Sequence, residues 1–423
     1  MGAATALLDK VADVFFKFFF QTIPAFFRKI SSYEGTTRPF TVEFLSETNH
    51  KLNDIKFKND LPIKAPEYDK SELGIWKNKR GQKIFTRTIH PKGVLRGSST
   101  TNTSTARSDG TTLTSASAPK VVDPEPNCSQ HLIFFHHGIL GHCSQALKNQ
   151  QGNCLGLLSL AHDFAESGYS CFLYDAVAHG YSAGYFADNT DDREKHYLPK
   201  FEHCIDDYEE YVKYCMKKYA KKTTTKTKFF LYGESWGGAC ALQLGIRLQE
   251  KSHPLHAQFG GAILNAPMIH FSMPILPIKL FLRHVAAPLF PTWRPIFMPH
   301  NTSVDKLSKD PAIQLQVTEK NAYGGENNPL RLGTALQMVR QVEDVQRSLK
   351  KVKFPFLLVS ADNDAVCLPS GAQALMDSSK QVSEKNKKLV WIKSDEHMIT
   401  VNSKSYWKLL PQCCFFLDTQ TGS

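Results

Sequence analysis

The sequence predicts an α/β fold built on a mostly parallel sheet with helices on both faces. Three observations predict it. Short apolar runs recur along the chain with helical stretches between them. One of those runs ends in a glycine-flanked serine turn followed by a helix. An aspartate and a histidine then follow two later runs in the order such a sheet would bring together. The apolar runs lie at residues 132–135, 171–174, 229–232, 262–264 and 356–359, with a weaker sixth at 389–392. Helical periodicity falls between them at 205–219, 239–250 and 334–349. Alternation of this kind buries each strand on two sides, which is why the runs are continuously apolar. In such sheets the chemistry sits just beyond the carboxyl ends of the strands.

Composition bounds the rest. The 423 residues suit one large domain with insertions, and 42% hydrophobic with 22% charged residues describes a globular chain. The 51 Lys and Arg against 40 Asp and Glu leave a formal charge of +11. No zinc-finger spacing and no basic stripe interleaved with aromatics accompanies that charge, so no nucleic-acid partner is expected. A basic surface remains, with anionic membrane as the next candidate. The ten cysteines form no Cys-x-x-Cys pair and are expected to be reduced and packed, in a cytoplasmic protein. The adjacent Cys413 and Cys414 are read the same way, with acylation as the alternative. The 16 histidines fall into no ligand spacing, so neither a metal nor a cofactor is expected.

The amino-terminal stretch stands apart. Residues 6–30 hold seven phenylalanines, and Asp9, Asp13, Lys17 and Gln21 recur at a spacing of four. That pattern predicts an amphipathic helix whose charges interrupt any membrane-spanning run. Residues 1–35 are therefore read as a segment lying on a membrane surface or lipid droplet, or docked on the protein itself. The remainder, 36–423, is one domain. An extended lead-in covers 31–96, with a strand at 82–89. The Ser/Thr-rich stretch 97–127 has almost no large apolar residue and is expected to be a disordered insertion.

The chemistry begins at Gly233-Glu234-Ser235-Trp236-Gly237-Gly238, between a strand and a helix. This is the Gly-x-Ser-x-Gly elbow, in which the serine occupies a strained turn and its neighbours must be small. Gly233 and Gly237 leave room for the turn, and Gly238 lets the helix approach. A glycine-rich turn with no chemistry is the plain alternative. A serine hydroxyl needs a base, and the base needs an orienting acid. Asp364, two residues before Val366 and just ahead of a Pro369 helix start, is the preferred acid, with Asp362 as fallback. His397 follows the last strand and is the only histidine after His300, so it is the expected base. Backbone donors for an oxyanion are expected from Trp236 and from Ile139, where Gly138 permits close approach. The side chains of His136 and His137 are read as structural, and the turn from Asp175 to Gly184 likewise.

Together these landmarks resemble the monoacylglycerol lipase family of serine α/β-hydrolases, in particular the plant-type, caffeoylshikimate esterase-like branch. The matching pieces are His137-Gly138, Asp175 with His179-Gly180-Tyr181-Ser182-Ala183-Gly184, the elbow, Asn265-Ala266-Pro267-Met268, and Arg331-Leu332-Gly333-Thr334. The likeness covers roughly residues 80–415. It implies an α/β-hydrolase fold with a mostly parallel central sheet, helices on both faces and a cap inserted at 268–331. It matches Ser235, Asp364 and His397 to the family's triad, and Ile139 and Trp236 to its oxyanion positions. Trp236 stands where the family commonly has methionine, which is expected to narrow the space beside the nucleophile. The implied activity is release of fatty acid from monoacylglycerol or a related lipid ester. A lysophospholipase or acyltransferase using the same triad is one alternative, and an inactive membrane-docked scaffold is another. Related acyltransferases carry an acidic residue five positions after a histidine; here that position is Asn402. The apolar cap suits an acyl chain, at about 0.8 kcal/mol per buried methylene.

Overall fold

The central strands are buried on both faces, and their alternate residues build two cores on one sheet. A computed structural model describes residues 71–91, 131–185, 195–219, 227–295, 304–318 and 330–422. The amphipathic segment at 6–30 and the Ser/Thr-rich stretch at 97–127 lie outside the described residues. Eight strands form the main sheet: β1 (Glu72–Lys77), β2 (Lys83–Ile89), β3 (His131–His136), β4 (Ser170–Tyr174), β5 (Lys228–Glu234), β6 (Phe259–Asn265), β7 (Phe356–Ala361) and β8 (Lys387–Ile392). Their spatial order is β1-β2-β4-β3-β5-β6-β7-β8. β1 pairs antiparallel with β2, and β2 with β4; every later pairing is parallel.

Among the described residues, the helices around the sheet include α1 (Leu157–Glu166), α2 (Glu202–Tyr219), α3 (Trp236–Leu248), α4 (Leu276–Phe281), α5 (Val304–Leu307), α6 (Pro311–Thr318), α7 (Leu332–Ser348), α8 (Pro369–Ser378) and α9 (Ser403–Thr421). Successive strand residues face opposite sides. Leu132, Phe134, Phe229 and Leu231 pack under α2, α3, α7 and α8. Ile133, Phe135, Phe230 and Tyr232 pack under α1 and α9 on the other face.

The six apolar runs all form strands, each extended by a residue or more, and the strand expected at 82–89 forms over Lys83–Ile89. The run at 389–392 proves to be a full edge strand, paired with β7 from Lys387 onward. α3 starts three residues earlier than periodicity predicts, at Trp236, because the elbow turns straight into a helix. The nine described cysteines form no disulfide with one another, and Cys413 is fully buried while Cys414 is partly so. Among the described residues no helix is long and apolar enough to cross a membrane, and no cluster of metal-ligating side chains occurs.

Between β6 and α7 lies a segment rich in apolar residues that carries α4, α5 and α6. α4 continues through a π turn at Leu282–Ala286. Ile275, Leu276, Ile278, Leu280 and Leu289 are all exposed along it. Glu343 of α7 pins it by ion pairs to Lys279 and Arg283.

Candidate active site

The site is assembled where β5, β7 and β8 end. At the end of β5 the chain turns sharply at Ser235, whose φ of 55° and ψ of −117° are rarely adopted by a residue with a side chain. Sterics impose the turn. A methyl group on Gly233 would sit 2.2 Å from the Gly237 carbonyl oxygen, and one on Gly237 would sit 2.2 Å from that of His136. A methyl on Gly238 would meet Pro267 Cα at 2.8 Å. The three glycines are thus where elbow, neighbouring loop and helix close on one another.

His397 reaches the serine from the loop after β8. Its Nε2 lies 2.9 Å from Ser235 Oγ, and its Nδ1 lies 2.7 Å from Asp364 Oδ2. The carboxylate can only accept, so the imidazole proton sits on Nδ1 and leaves Nε2 free to accept from the hydroxyl. All three side chains are nearly or wholly buried. Burial by itself pulls the His397 imidazole down. The Asp364 carboxylate, by charge and by hydrogen bond, and the Glu234 carboxylate behind it outweigh burial and hold the imidazole above its ordinary value.

Asp364 is fixed in turn by its own loop. Its Oδ1 accepts from the backbone N–H groups of Val366, at 2.7 Å, and Cys367, at 3.0 Å. Asp362 does something else. It is exposed, and its Oδ1 accepts from the Ser394 N–H at 3.0 Å, in the loop after β8. The structure therefore brings Asp364, and not the fallback, to the imidazole.

The loop after β3 passes close to the serine. A methyl on Gly138 would lie 3.4 Å from Ser235 Cβ. His137 donates from Nδ1 to the Gly138 carbonyl at 2.7 Å and accepts at Nε2 from the Ala176 N–H at 2.9 Å. It ties the loop bearing Gly138 and Ile139 to the turn after β4. His136 donates to the His137 carbonyl at 2.9 Å, so both side chains are structural. The turn after β4 is held by Asp175, which accepts from Cys143 and Tyr181 N–H groups at 2.7 and 2.8 Å. Burial drives His136 down to about 3 and His179 well below its usual range, so this histidine cluster is neutral.

The Trp236 side chain does not narrow the space beside the serine. It is the first residue of α3, so its indole turns into the core. The ring stacks on His179 at 5.3 Å, meets His136 edge-on at 4.9 Å, and donates to Gln341 Oε1 at 2.9 Å.

Three neighbours escaped the sequence reading. Glu234 is buried and accepts from Thr400 Oγ1 at 2.9 Å and Asn265 Nδ2 at 3.4 Å. Burial pushes its carboxyl up. Cys367 places its Sγ 3.8 Å from Ser235 Oγ, and burial raises its thiol well above the usual range, so it is a neutral neighbour. Glu396 joins the histidine loop to the segment carrying α5. A polar residue directly before the elbow serine was the available signal for Glu234; none existed for Cys367 or Glu396.

Residues 129–404 match the family described as "Serine aminopeptidase, S33" (Hydrolase_4). The chain belongs to this family. An uncharacterized abhydrolase domain-containing protein of Dictyostelium discoideum is 26% identical over 53% of this chain and 21% of its own length. Caffeoylshikimate esterase of Arabidopsis thaliana is 25% identical over 52% of this chain and 60% of its own. Monoglyceride lipase of Rattus norvegicus is 26% identical over 59% and 70%. The chain thus spans between a fifth and three-fifths of the length of the first two relatives. A soluble variant of monoglyceride lipase from Saccharomyces cerevisiae, solved with a substrate analog, superposes with a TM-score of 0.59 at 14% identity. That superposition covers 86% of this chain and 99% of the other. The family's α/β-hydrolase fold, with its mostly parallel eight-stranded sheet, is the fold of this chain.

Proposed function

We propose that this protein is a serine carboxylic-ester hydrolase that releases fatty acid from monoacylglycerol or a related lipid through an acyl-enzyme. Ser235 is the nucleophile, His397 the base and Asp364 the acid. One observation carries the reading: hydroxyl, imidazole and carboxylate form a continuous buried chain of 2.9 and 2.7 Å at a strained serine. An unstrained glycine-rich turn without chemistry has no need of such a chain.

The chemistry follows from proton placement. Ser235 Oγ attacks the ester carbonyl while His397 Nε2 takes its proton. Asp364 stabilises the imidazolium and keeps the proton on Nδ1. The alkoxide leaves with the proton returned from Nε2, and the acyl group stays on Oγ. Water activated by the same nitrogen then releases the acid. Trp236 and Ile139 N–H groups are the proposed oxyanion donors, each worth about 3 kcal/mol in the transition state. The lipid part of the reading rests on the apolar segment between β6 and α7, and on relatives named monoglyceride lipase.

A fluorophosphonate probe and a panel of lipid esters test this together. Wild type is expected to take the probe at Ser235 and to prefer monoacylglycerol, while Ser235→Ala loses both, by on the order of a millionfold in rate. Full esterase activity in Ser235→Ala would remove the proposal. Adding a competing alcohol acceptor separates hydrolysis from acyl transfer by the products formed.

A further inference from the structure

The loop from 393 to 398 belongs to no strand or helix. β8 ends at Ile392, and the next helical turn, Ile399–Val401, begins after His397. Its backbone donors need partners, and the sheet does not supply them. The Ser394 N–H finds Asp362 and the Glu396 N–H finds Ser394 Oγ, but the two donors at and after the imidazole find theirs in the inserted segment. The N–H of His397 donates to the Lys306 carbonyl at 2.9 Å, and that of Met398 to the Leu307 carbonyl at 3.0 Å. Both acceptors lie at the end of α5, where a helix leaves carbonyls unpaired.

Glu396 completes the junction from the other direction. Its Oε2 accepts from Ser308 Oγ and from the Lys309 N–H, each at 3.0 Å. Its Oε1 accepts from Asn402 Nδ2 at 2.7 Å. Asn402 in turn caps α9, its Oδ1 accepting from the Ser405 N–H at 3.1 Å. Met398 and Val401 share a small buried cluster with Val304, Ile313 and Val317 of the insertion. Four hydrogen bonds and an apolar contact thus join the insertion to the residues on either side of the imidazole.

We propose that Glu396 is a positioning residue: it clamps the inserted segment to the His397 loop, so the insertion aims the base as well as walling the substrate site. This rests on the reading of Ser235 and His397 as nucleophile and base. The two ring nitrogens are already committed to Asp364 and Ser235. Their 2.7 and 2.9 Å contacts survive only while the loop backbone stays in place. Displacing a reacting group by ~1 Å can cost 10²-fold in rate. An acyl chain that shifts α5 is therefore felt at Nε2 through the Lys306 and Leu307 carbonyls.

The donor–acceptor pattern provides its own test. Glu396→Gln sets an amide NH2 against the Asn402 NH2 or against the Ser308 and Lys309 donors. Adding Asn402→Asp restores an acceptor for that amide and keeps one for the Ser405 N–H. Two readouts are measured on the full chain: fluorophosphonate labelling rate per folded molecule, and hydrogen exchange in peptides spanning 395–401. Glu396→Gln is expected to lower the labelling rate and kcat, by about 10²-fold at most, with little change in KM. It is also expected to speed exchange at His397 and Met398. The double variant recovers both, and Ser308→Ala shows a smaller loss of the same kind. Glu396→Gln labelled as fast as wild type, or with unchanged exchange, overturns the clamp alone. Wild type that takes no label overturns the clamp and the hydrolase reading together.

Discussion

A methyl group has no room on any of the three glycines around Ser235, whereas the loop around His397 contains no glycine and takes its shape from polar contacts with distant residues. The elbow is over-determined by sterics within a few residues of the serine and the two loops beside it. The histidine loop is under-determined locally and borrows its partners from α5, 88 residues away by way of Ser308 and Glu396. The proposed nucleophile, Ser235, is thus fixed by its own turn, whereas the proposed base, His397, depends on contacts with the segment between β6 and α7. Steric rules of the first kind leave a pattern in sequence. Borrowed hydrogen bonds of the second kind do not.

Gly237→Ala is the severest way to break the comparison. Its Cβ would fall 2.2 Å from the His136 oxygen and 2.6 Å from the His137 oxygen, both backbone. The elbow cannot close around it, and loss of soluble folded protein and of probe labelling is expected. Normal labelling would show that the elbow yields more than its glycines imply.

Asp364→Asn should leave the fold intact and lower kcat by about 10⁴-fold, because the tautomer is no longer held. It also moves the pH profile. His397 must be neutral to act as base, and its pKa is raised in the wild type by Asp364 and Glu234 against burial. Activity should accordingly fall, as pH drops, at values above the ordinary imidazole pKa of about 6.5. Removing the Asp364 charge leaves burial to dominate, so the acid limb of Asp364→Asn should shift to lower pH. An unmoved limb would mean that another group sets it.

Asp362→Asn is the small-effect counterpart. An amide oxygen can still accept from the Ser394 N–H, and the side chain is exposed. A stability change within about 0.5 kcal/mol and an unchanged kcat are expected by thermal melting and ester turnover. A loss as large as that of Asp364→Asn would reverse the assignment between the two aspartates.

Much of the site was legible beforehand, for identifiable reasons. The central strands are continuously apolar because both faces are covered, and Gly233, Ser235 and Gly237 mark a turn that few other residues can make. His397 stood out by being alone after the last strand. Trp236 misled, because a side chain next to the serine in sequence points into the core in space, towards His179 and Gln341. Glu234 was visible as a residue but not as a carboxylate beneath the base, since its partner Thr400 is 166 positions away.

The sheet, the elbow and the residues proposed as nucleophile, acid and base could be read from sequence, because continuous apolar runs and hard-sphere crowding act between near neighbours. Folding in three dimensions brought Asp364 rather than Asp362 to the imidazole, turned the indole of Trp236 inward, and set Glu396 between the segment carrying α5 and the His397 loop. Each of those depends on which remote donor or acceptor arrives opposite a given side chain, and that pairing is written in three dimensions rather than in spacing.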